Sequence, residues 1–297
     1  MSVARPVILD GGLSNALEQL GQDLSDPLWT ARVLRDAPEA VAEVHRRYYG
    51  AGARVATTAS YQASVPGFVD RGLSAAEARA LLVSSVVVAR RVRDELAVDG
   101  ADRLVAASVG PYGAVLADGS EYRGRYGLTA AQLRDFHAPR LELLASAGPD
   151  LLAVETIPDI DEAEVLVDLL DDIGLATWFS FSARGGLTAA GQPLADAFAT
   201  AAAPTTVAAV GVNCCPADEV LDAVLLAVAT TGKWAVAYPN GGGEWDAESR
   251  TWRGTPGVDT ALARQWVDAG AAYIGGCCRV GPEDIARLAQ DLDAGGF

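Results

Sequence analysis

Short apolar runs alternate with longer stretches of helical periodicity along the whole chain. The runs at Val7–Leu9, Arg54–Thr57, Leu104–Ala107, Leu151–Val154, Thr177–Ser180, Ala208–Val212, Trp234–Ala237 and Ala272–Ile274 read as eight β-strands. Their apolar positions are continuous rather than alternating, the pattern of parallel strands covered on both faces. Helix starts fall between them: Ser74-Ala75-Ala76-Glu77 and Thr129-Ala130-Ala131-Gln132 fit the capping box, in which the side chains at its two ends satisfy free backbone N–H groups. Glycines such as Gly174 and Gly232 close predicted helices, where the left-handed conformation is needed. Eight strand–helix units in 297 residues predict an α/β chain folded as a closed (β/α)8 TIM barrel, with an open doubly wound sheet as the alternative. No linker, low-complexity segment or repeat interrupts the pattern, so residues 1–297 read as one domain.

Three connections are long and polar or glycine-rich: Gly110 to Gly127, Ala183 to Leu194, and Pro239 to Gly257. Each follows a strand and precedes a helix. In a barrel all three lie on the C-terminal face, where active sites sit.

Charge narrows the partners. With 39 acidic and 23 basic residues the formal net charge is -16. Such a surface repels phosphate backbones and anionic lipid, which argues against nucleic acid and membrane surfaces and serves solubility. The apolar stretch Leu81–Ala89 is short, contains Ser84 and Ser85, and runs into Arg90 and Arg91, so it reads as a buried helix. Met1–Asp10 has no apolar segment of the secretory kind, and a cytoplasmic location is expected. The pattern does not fix an oligomeric state; a monomer is compatible with it.

The four cysteines change the picture most. They form two adjacent pairs, Cys214-Cys215 and Cys277-Cys278, at the ends of the sixth and eighth predicted strands. These strands flank the seventh, so their C-terminal ends share one rim, and thiolates from both can converge on one ion. Zinc is the natural choice, being borderline-soft and suited to sulfur in tetrahedral sites. Three protein ligands make a catalytic site and four a structural one. Gly275-Gly276 permits the sharp turn that two adjacent ligands need. The competing readings are four small buried hydrophobes, or redox chemistry, which strain between neighbouring residues disfavours.

At this point the sequence resembles the homocysteine S-methyltransferase family over essentially its whole length. The matching segments are Asp10-Gly11-Gly12, Asp26-Pro27-Leu28-Trp29, Thr57-Thr58-Ala59-Ser60-Tyr61-Gln62, Ser108-Val109-Gly110-Pro111-Tyr112-Gly113, Gly119-Ser120-Glu121-Tyr122-Arg123-Gly124, Glu155-Thr156-Ile157-Pro158 and Tyr238-Pro239-Asn240, with the two cysteine elements. The resemblance implies zinc held by Cys214, Cys277 and Cys278, with Cys215 a neighbour. It associates Asp10 and Glu155 with the amino acid substrate; Gly11 and Thr58 join them as expected substrate-binding residues. Ser60 and Tyr61 are further candidates, and Tyr112, Trp29 and Tyr238 are aromatic candidates for a cationic donor. Arg125 stands where many relatives have Asp, and Gly241-Gly242-Gly243-Glu244 varies a Ser-Gly-Glu pattern; both fall in loops expected near the methyl donor.

The implied activity is methyl transfer to homocysteine, giving methionine. Binding to zinc deprotonates the substrate thiol, and no general base is required at the carbon. That agrees with only two histidines, His45 and His137, both in helical patterns and read as structural. The expected donor is a sulfonium, S-methylmethionine first and S-adenosylmethionine second, as in the short single-barrel branch; the betaine-using branch carries a C-terminal extension. The alternatives are betaine or another donor, another thiol or selenol acceptor, and a noncatalytic zinc- or thiol-binding barrel.

Overall fold

The computed structural model describes residues 5–24, 29–242, 244–246, 251–253 and 257–294. Among them, eight parallel strands pair edge to edge: β1 (Val7–Ile8), β2 (Val55–Thr57), β3 (Leu104–Val109), β4 (Leu151–Ile157), β5 (Thr177–Phe181), β6 (Val207–Asn213), β7 (Trp234–Tyr238) and β8 (Ala271–Ile274). β1 pairs with β8, and the order then runs back through β7 to β2. A parallel bridge between Leu9 and Val55 joins β1 to β2 and closes the cylinder. The expected (β/α)8 barrel is therefore the fold. β3, β4 and β6 each run one to three residues beyond their expected C-terminal ends, because Ser108, Glu155, Thr156 and Asn213 belong to the ladders although their side chains are polar.

Two apolar layers hold the barrel together. All seven residues of β4 and all five of β5 are buried, as expected of strands covered on both faces. The interior is filled by Leu9, Val55, Leu151, Trp178 and Tyr238 against the small Ala106, Ala153 and Ala209. Trp178 is the bulkiest of these; its Nε1 donates to the Tyr238 hydroxyl at 3.0 Å, so its one polar atom is satisfied inside. Both capping boxes form, Ser74 with Glu77 and Thr129 with Gln132, at the starts of helices Ala75–Leu96 and Ala130–Ser146. The first helix contains the Leu81–Ala89 stretch and buries Leu82, Val86, Val88 and Ala89. Among the described residues no helix is long and apolar enough to cross a membrane.

The long connections sit where the barrel topology requires, after β3, β5 and β7. The first carries a short helix, Tyr112–Leu116, and a 3-10 turn, Ser120–Tyr122. The second carries a small hairpin, Ala183–Arg184 with Leu187–Thr188. The third carries another, Glu244–Asp246 with Thr251–Arg253. Gly243 and the Asp26-Pro27-Leu28 segment lie outside the described residues, as does the side chain of Trp29.

Candidate active site

Three of the four cysteines meet on the rim. The Sγ atoms of Cys214, Cys277 and Cys278 all lie within 4.8 Å of one another. Cys214 Sγ is 3.1 Å from Cys277 Sγ and 3.8 Å from Cys278 Sγ, and none of the cysteines is in a disulfide. A tetrahedral ion with metal–sulfur bonds of about 2.3 Å separates its sulfurs by about 3.8 Å, so the trio fits one soft divalent ion. Hydrogen bonds from Cys214 and Cys277 hold the Cys278 thiol well below its usual range. The neighbouring sulfurs and burial push Cys214 and Cys277 well above theirs, so without an ion the trio shares one thiolate rather than three. Cys215 does not join it: it is buried in the apolar layer outside the strands, and burial pushes its thiol up.

Backbone geometry explains how neighbouring cysteines diverge. Cys214 follows β6 in the left-handed region, φ 52°, which turns the chain and sends successive side chains to different sides. Its N–H donates to the Tyr238 carbonyl at 3.3 Å, and Cys277 N–H to the Pro239 carbonyl at 2.8 Å. The ends of β6, β7 and β8 are thereby tied together. The Asp10-Gly11-Gly12 turn packs directly against this knot. A β-carbon on Gly12 would sit 2.7 Å from the Cys277 carbonyl oxygen, one on Gly275 2.7 Å from the Asp10 carbonyl oxygen, and one on Gly11 would strike the Val280 carbonyl. Glycine is required by close approach of two backbones. Behind them the buried Tyr48 hydroxyl lies 3.0 Å from the Gly12 carbonyl and 2.9 Å from that of Val280.

Asp10 and Glu155 come from the ends of β1 and β4 and are both buried. Asp10 accepts from Thr57 N–H at 2.6 Å and Thr57 Oγ1 at 2.8 Å. Burial pushes its carboxyl up to about 7, with the nearby Glu155 charge adding and the Thr57 bonds opposing. Glu155 accepts from the Ser108 hydroxyl. Burial likewise pushes it up to about 7, against hydrogen bonds from Ser108 and Tyr238 and together with the charge of Cys214. Two acids held this way favour an incoming cation. Thr58 is buried and its hydroxyl is committed: it accepts from Ser108 N–H at 3.0 Å and lies 2.7 Å from Ser60 Oγ. It orients Ser108, and through it Glu155.

A polar chain then links β4 to the metal side. Asn213, fully buried, accepts from Thr156 N–H at 2.8 Å and donates to Thr156 Oγ1 at 2.7 Å; Ser180 Oγ donates to it at 2.8 Å and lies 2.7 Å from the Tyr238 hydroxyl. Thr156 holds φ 59°, which a β-branched residue rarely adopts. Such strain persists only where surroundings over-determine it, and it clusters at functional sites. Asn213 supplies the constraint.

Three residues near the site were not singled out for roles by the sequence pattern. Tyr122, half-exposed, places its hydroxyl 3.3 Å from Cys214 Sγ. Glu121 beside it is buried, and burial first, then the charge of Cys214, pushes its carboxyl up to about 7. Arg140, buried in a barrel helix, donates to the carbonyls of Gly110, Ser60 and Tyr61 at 2.8, 2.7 and 2.5 Å, so one guanidinium fixes the connections after β2 and β3. The remaining candidates are engaged elsewhere. Tyr112 packs on Tyr126 and Phe136. Arg125 pairs with Asp161 at 2.9 Å and Asp159 at 3.5 Å, on the neighbouring helix. His137 Nε2 lies 2.8 Å from Glu162, and His45 is enclosed with no hydrogen-bond partner at either nitrogen. Both histidines are fully buried.

Comparison with known proteins agrees with this architecture. A family model described as homocysteine S-methyltransferase matches residues 7–292. The homocysteine S-methyltransferase of Escherichia coli (strain K12) is 45% identical over 290 residues, covering 95% of this chain and 94% of that one. YbgG of Bacillus subtilis (strain 168), another homocysteine S-methyltransferase, is 43% identical over 293 residues, 95% and 93% of the two chains. The crystal structure of the Escherichia coli homocysteine methyltransferase MmuM in its metallated form superposes with a TM-score of 0.87 at 42% identity, covering 96% of each chain.

Proposed function

Because the chain belongs to the homocysteine S-methyltransferase family, we propose that it carries out zinc-dependent transfer of a methyl group from a sulfonium donor to homocysteine. The donor is S-methylmethionine first and S-adenosylmethionine second, and the product is methionine. The observation that carries this reading is the meeting of three cysteine Sγ atoms within 4.8 Å beside two buried carboxylates.

Cys214, Cys277 and Cys278 hold the zinc. Bound there, it supplies the Lewis acidity that keeps homocysteine's sulfur deprotonated at neutral pH, where a free thiol, titrating near about 8.5, is mostly protonated. Asp10 and Glu155 accept hydrogen bonds from the substrate ammonium, a charge-assisted contact that returns both acids to their ionised form. Thr57 and Ser108 orient the two carboxylates. Thr58 acts through Ser108, and Gly11 leaves the backbone beside Asp10 free of a side chain.

The substrate sulfur attacks the donor's methyl carbon. A new S–CH3 bond forms as the donor's S–CH3 bond breaks. The bonding pair stays on the donor's sulfur, which departs as a neutral thioether. No proton moves at carbon, and the two buried histidines have no part to play. Charge favours a cationic donor: the chain is acidic overall and its site groups three thiols with buried carboxylates. Three free thiols this close together suit a reducing, cytoplasmic setting.

The test is turnover of homocysteine with S-methylmethionine, S-adenosylmethionine and betaine offered in parallel. Methionine forms far faster with S-methylmethionine than with betaine. A preference for betaine overturns the donor assignment, and full activity in metal-free protein overturns the mechanism.

A further inference from the structure

Glu121 is a buried acid near the cysteine cluster that the mechanism leaves without work. It stands on the 3-10 turn Ser120–Tyr122, in the connection after β3. That turn is held firmly: a β-carbon on Gly113 would sit 2.6 Å from the Glu121 nitrogen, so the turn rests on the short helix before it. The residue is 4% exposed, and its Oε2 is buried with no hydrogen-bond partner. No arginine or lysine among the described residues pairs with it. An orphaned carboxylate oxygen is costly to bury and calls for a partner. The next residue, Tyr122, has its hydroxyl 3.3 Å from Cys214 Sγ. Glu121 is close enough for its charge to act on Tyr61 and Cys278 and to feel that of Cys214.

We propose that Glu121 receives the sulfonium of the methyl donor and selects for a positively charged one. This rests on the donor reading given above. Two reactants bring positive charge to the site. The ammonium of homocysteine is met by Asp10 and Glu155, at the strand ends. The other cation is the sulfonium, which must come into contact with the attacking sulfur at the cysteine cluster, where Glu121 and Tyr122 lie. A sulfonium supplies the countercharge that this buried carboxylate lacks among the described residues.

The chemistry gives this role a signature. The sulfonium's charge disappears as the methyl leaves, so Glu121 binds the donor's ground state at least as well as the transition state. Losing it therefore raises the donor KM and leaves kcat nearly unchanged.

Glu121→Gln keeps the size and removes the charge. The donor KM for S-methylmethionine rises roughly tenfold or more, as expected for losing one largely desolvated ion contact, since a sulfonium offers charge and polarised C–H groups but no N–H or O–H donor, and kcat stays within about threefold. Zinc content by metal analysis and homocysteine Kd by calorimetry do not change. Glu121→Asp, which keeps the charge on a shorter arm, recovers part of the donor affinity. An unchanged donor KM in Glu121→Gln overturns the proposal, and so does a loss of zinc or of homocysteine affinity, which makes Glu121 a support of the cluster. If the wild-type enzyme turns over sulfonium donors and Glu121→Gln does so equally well, only Glu121 is misassigned. If the wild type takes no sulfonium, the donor reading fails first and this proposal with it.

Discussion

Gly12 and Cys277 touch through their backbones: a β-carbon on Gly12 would stand 2.7 Å from the Cys277 carbonyl oxygen and 2.8 Å from Asn15 Oδ1, which itself accepts from Arg279 N–H at 2.6 Å. The turn after β1 is thus a wall against which the β8 cysteines are set. Gly12→Ala should push Cys277 out of line with Cys214 while leaving the barrel folded. Metal analysis with far-ultraviolet circular dichroism reads both. A Gly12→Ala protein that keeps a full complement of zinc would show that the wall is not needed.

Replacing Cys214, Cys277 or Cys278 by Ala should strip or loosen the metal and abolish transfer. Cys215→Ala should keep it, because that side chain is packed among apolar neighbours. Cys215→Ser should also keep the metal but lose about 1–3 kcal/mol of stability, the cost of burying an unsatisfied hydroxyl. Zinc lost from Cys215→Ala and kept by Cys214→Ala would mean the turn after β6 points the wrong sulfur inward.

Asp10→Asn and Glu155→Gln should each weaken homocysteine binding roughly ten- to a hundredfold with zinc still bound, since each removes one charge-assisted hydrogen bond. A second readout follows from their elevated pKa values of about 7. Near neutral pH both acids are partly protonated in the free site, and a bound ammonium returns them to the ionised form. Methionine has no thiol proton to lose, so its binding near pH 7 should release protons from these acids alone. Calorimetry in buffers of different ionisation enthalpy measures that release, which should shrink in Glu155→Gln. Proton uptake, or no exchange at all, would contradict the assignment.

His45 gives the fold an acid limit. Burial pushes its imidazole down from 6.5 to about 4, so the folded state keeps it neutral. Its contribution is complete above pH 6.5 and is lost as pH falls towards 4, on the order of 3 kcal/mol. Asp10 and Glu155 act in the opposite sense: their contribution is present at low pH and is lost as pH rises through about 7. His45→Phe removes no hydrogen bond, since neither ring nitrogen has a partner. It should shift acid unfolding, followed by fluorescence, to lower pH. An unmoved midpoint would rule His45 out as the limiting group.

Much of this was legible in the chain because it rests on local rules. Apolar runs marked the eight strands, and the capping boxes marked two helix starts. Two vicinal cysteine pairs at strand ends marked the metal centre. What escaped was set by contacts distant in sequence. Glu121 is one acid among 39, and nothing local says that its carboxylate is buried without a partner. Arg140 carries no local sign of burial, yet it spans to carbonyls 30 and 80 positions away. The strained backbone of Thr156 has no local signature, because Asn213, 57 positions on, imposes it.

That last pairing has a thermodynamic consequence. Asn213 precedes a cysteine of the metal cluster and its amide clamps the residue after Glu155, so the two sub-sites share one joint. A joint that stiffens when either sub-site is filled would favour filling the other. The coupling is reciprocal by necessity: whatever factor the metal adds to the affinity for the amino acid, the amino acid returns in full to the affinity for the metal. With a coupling of that sign, the metal would be held more firmly with the amino acid bound than without it.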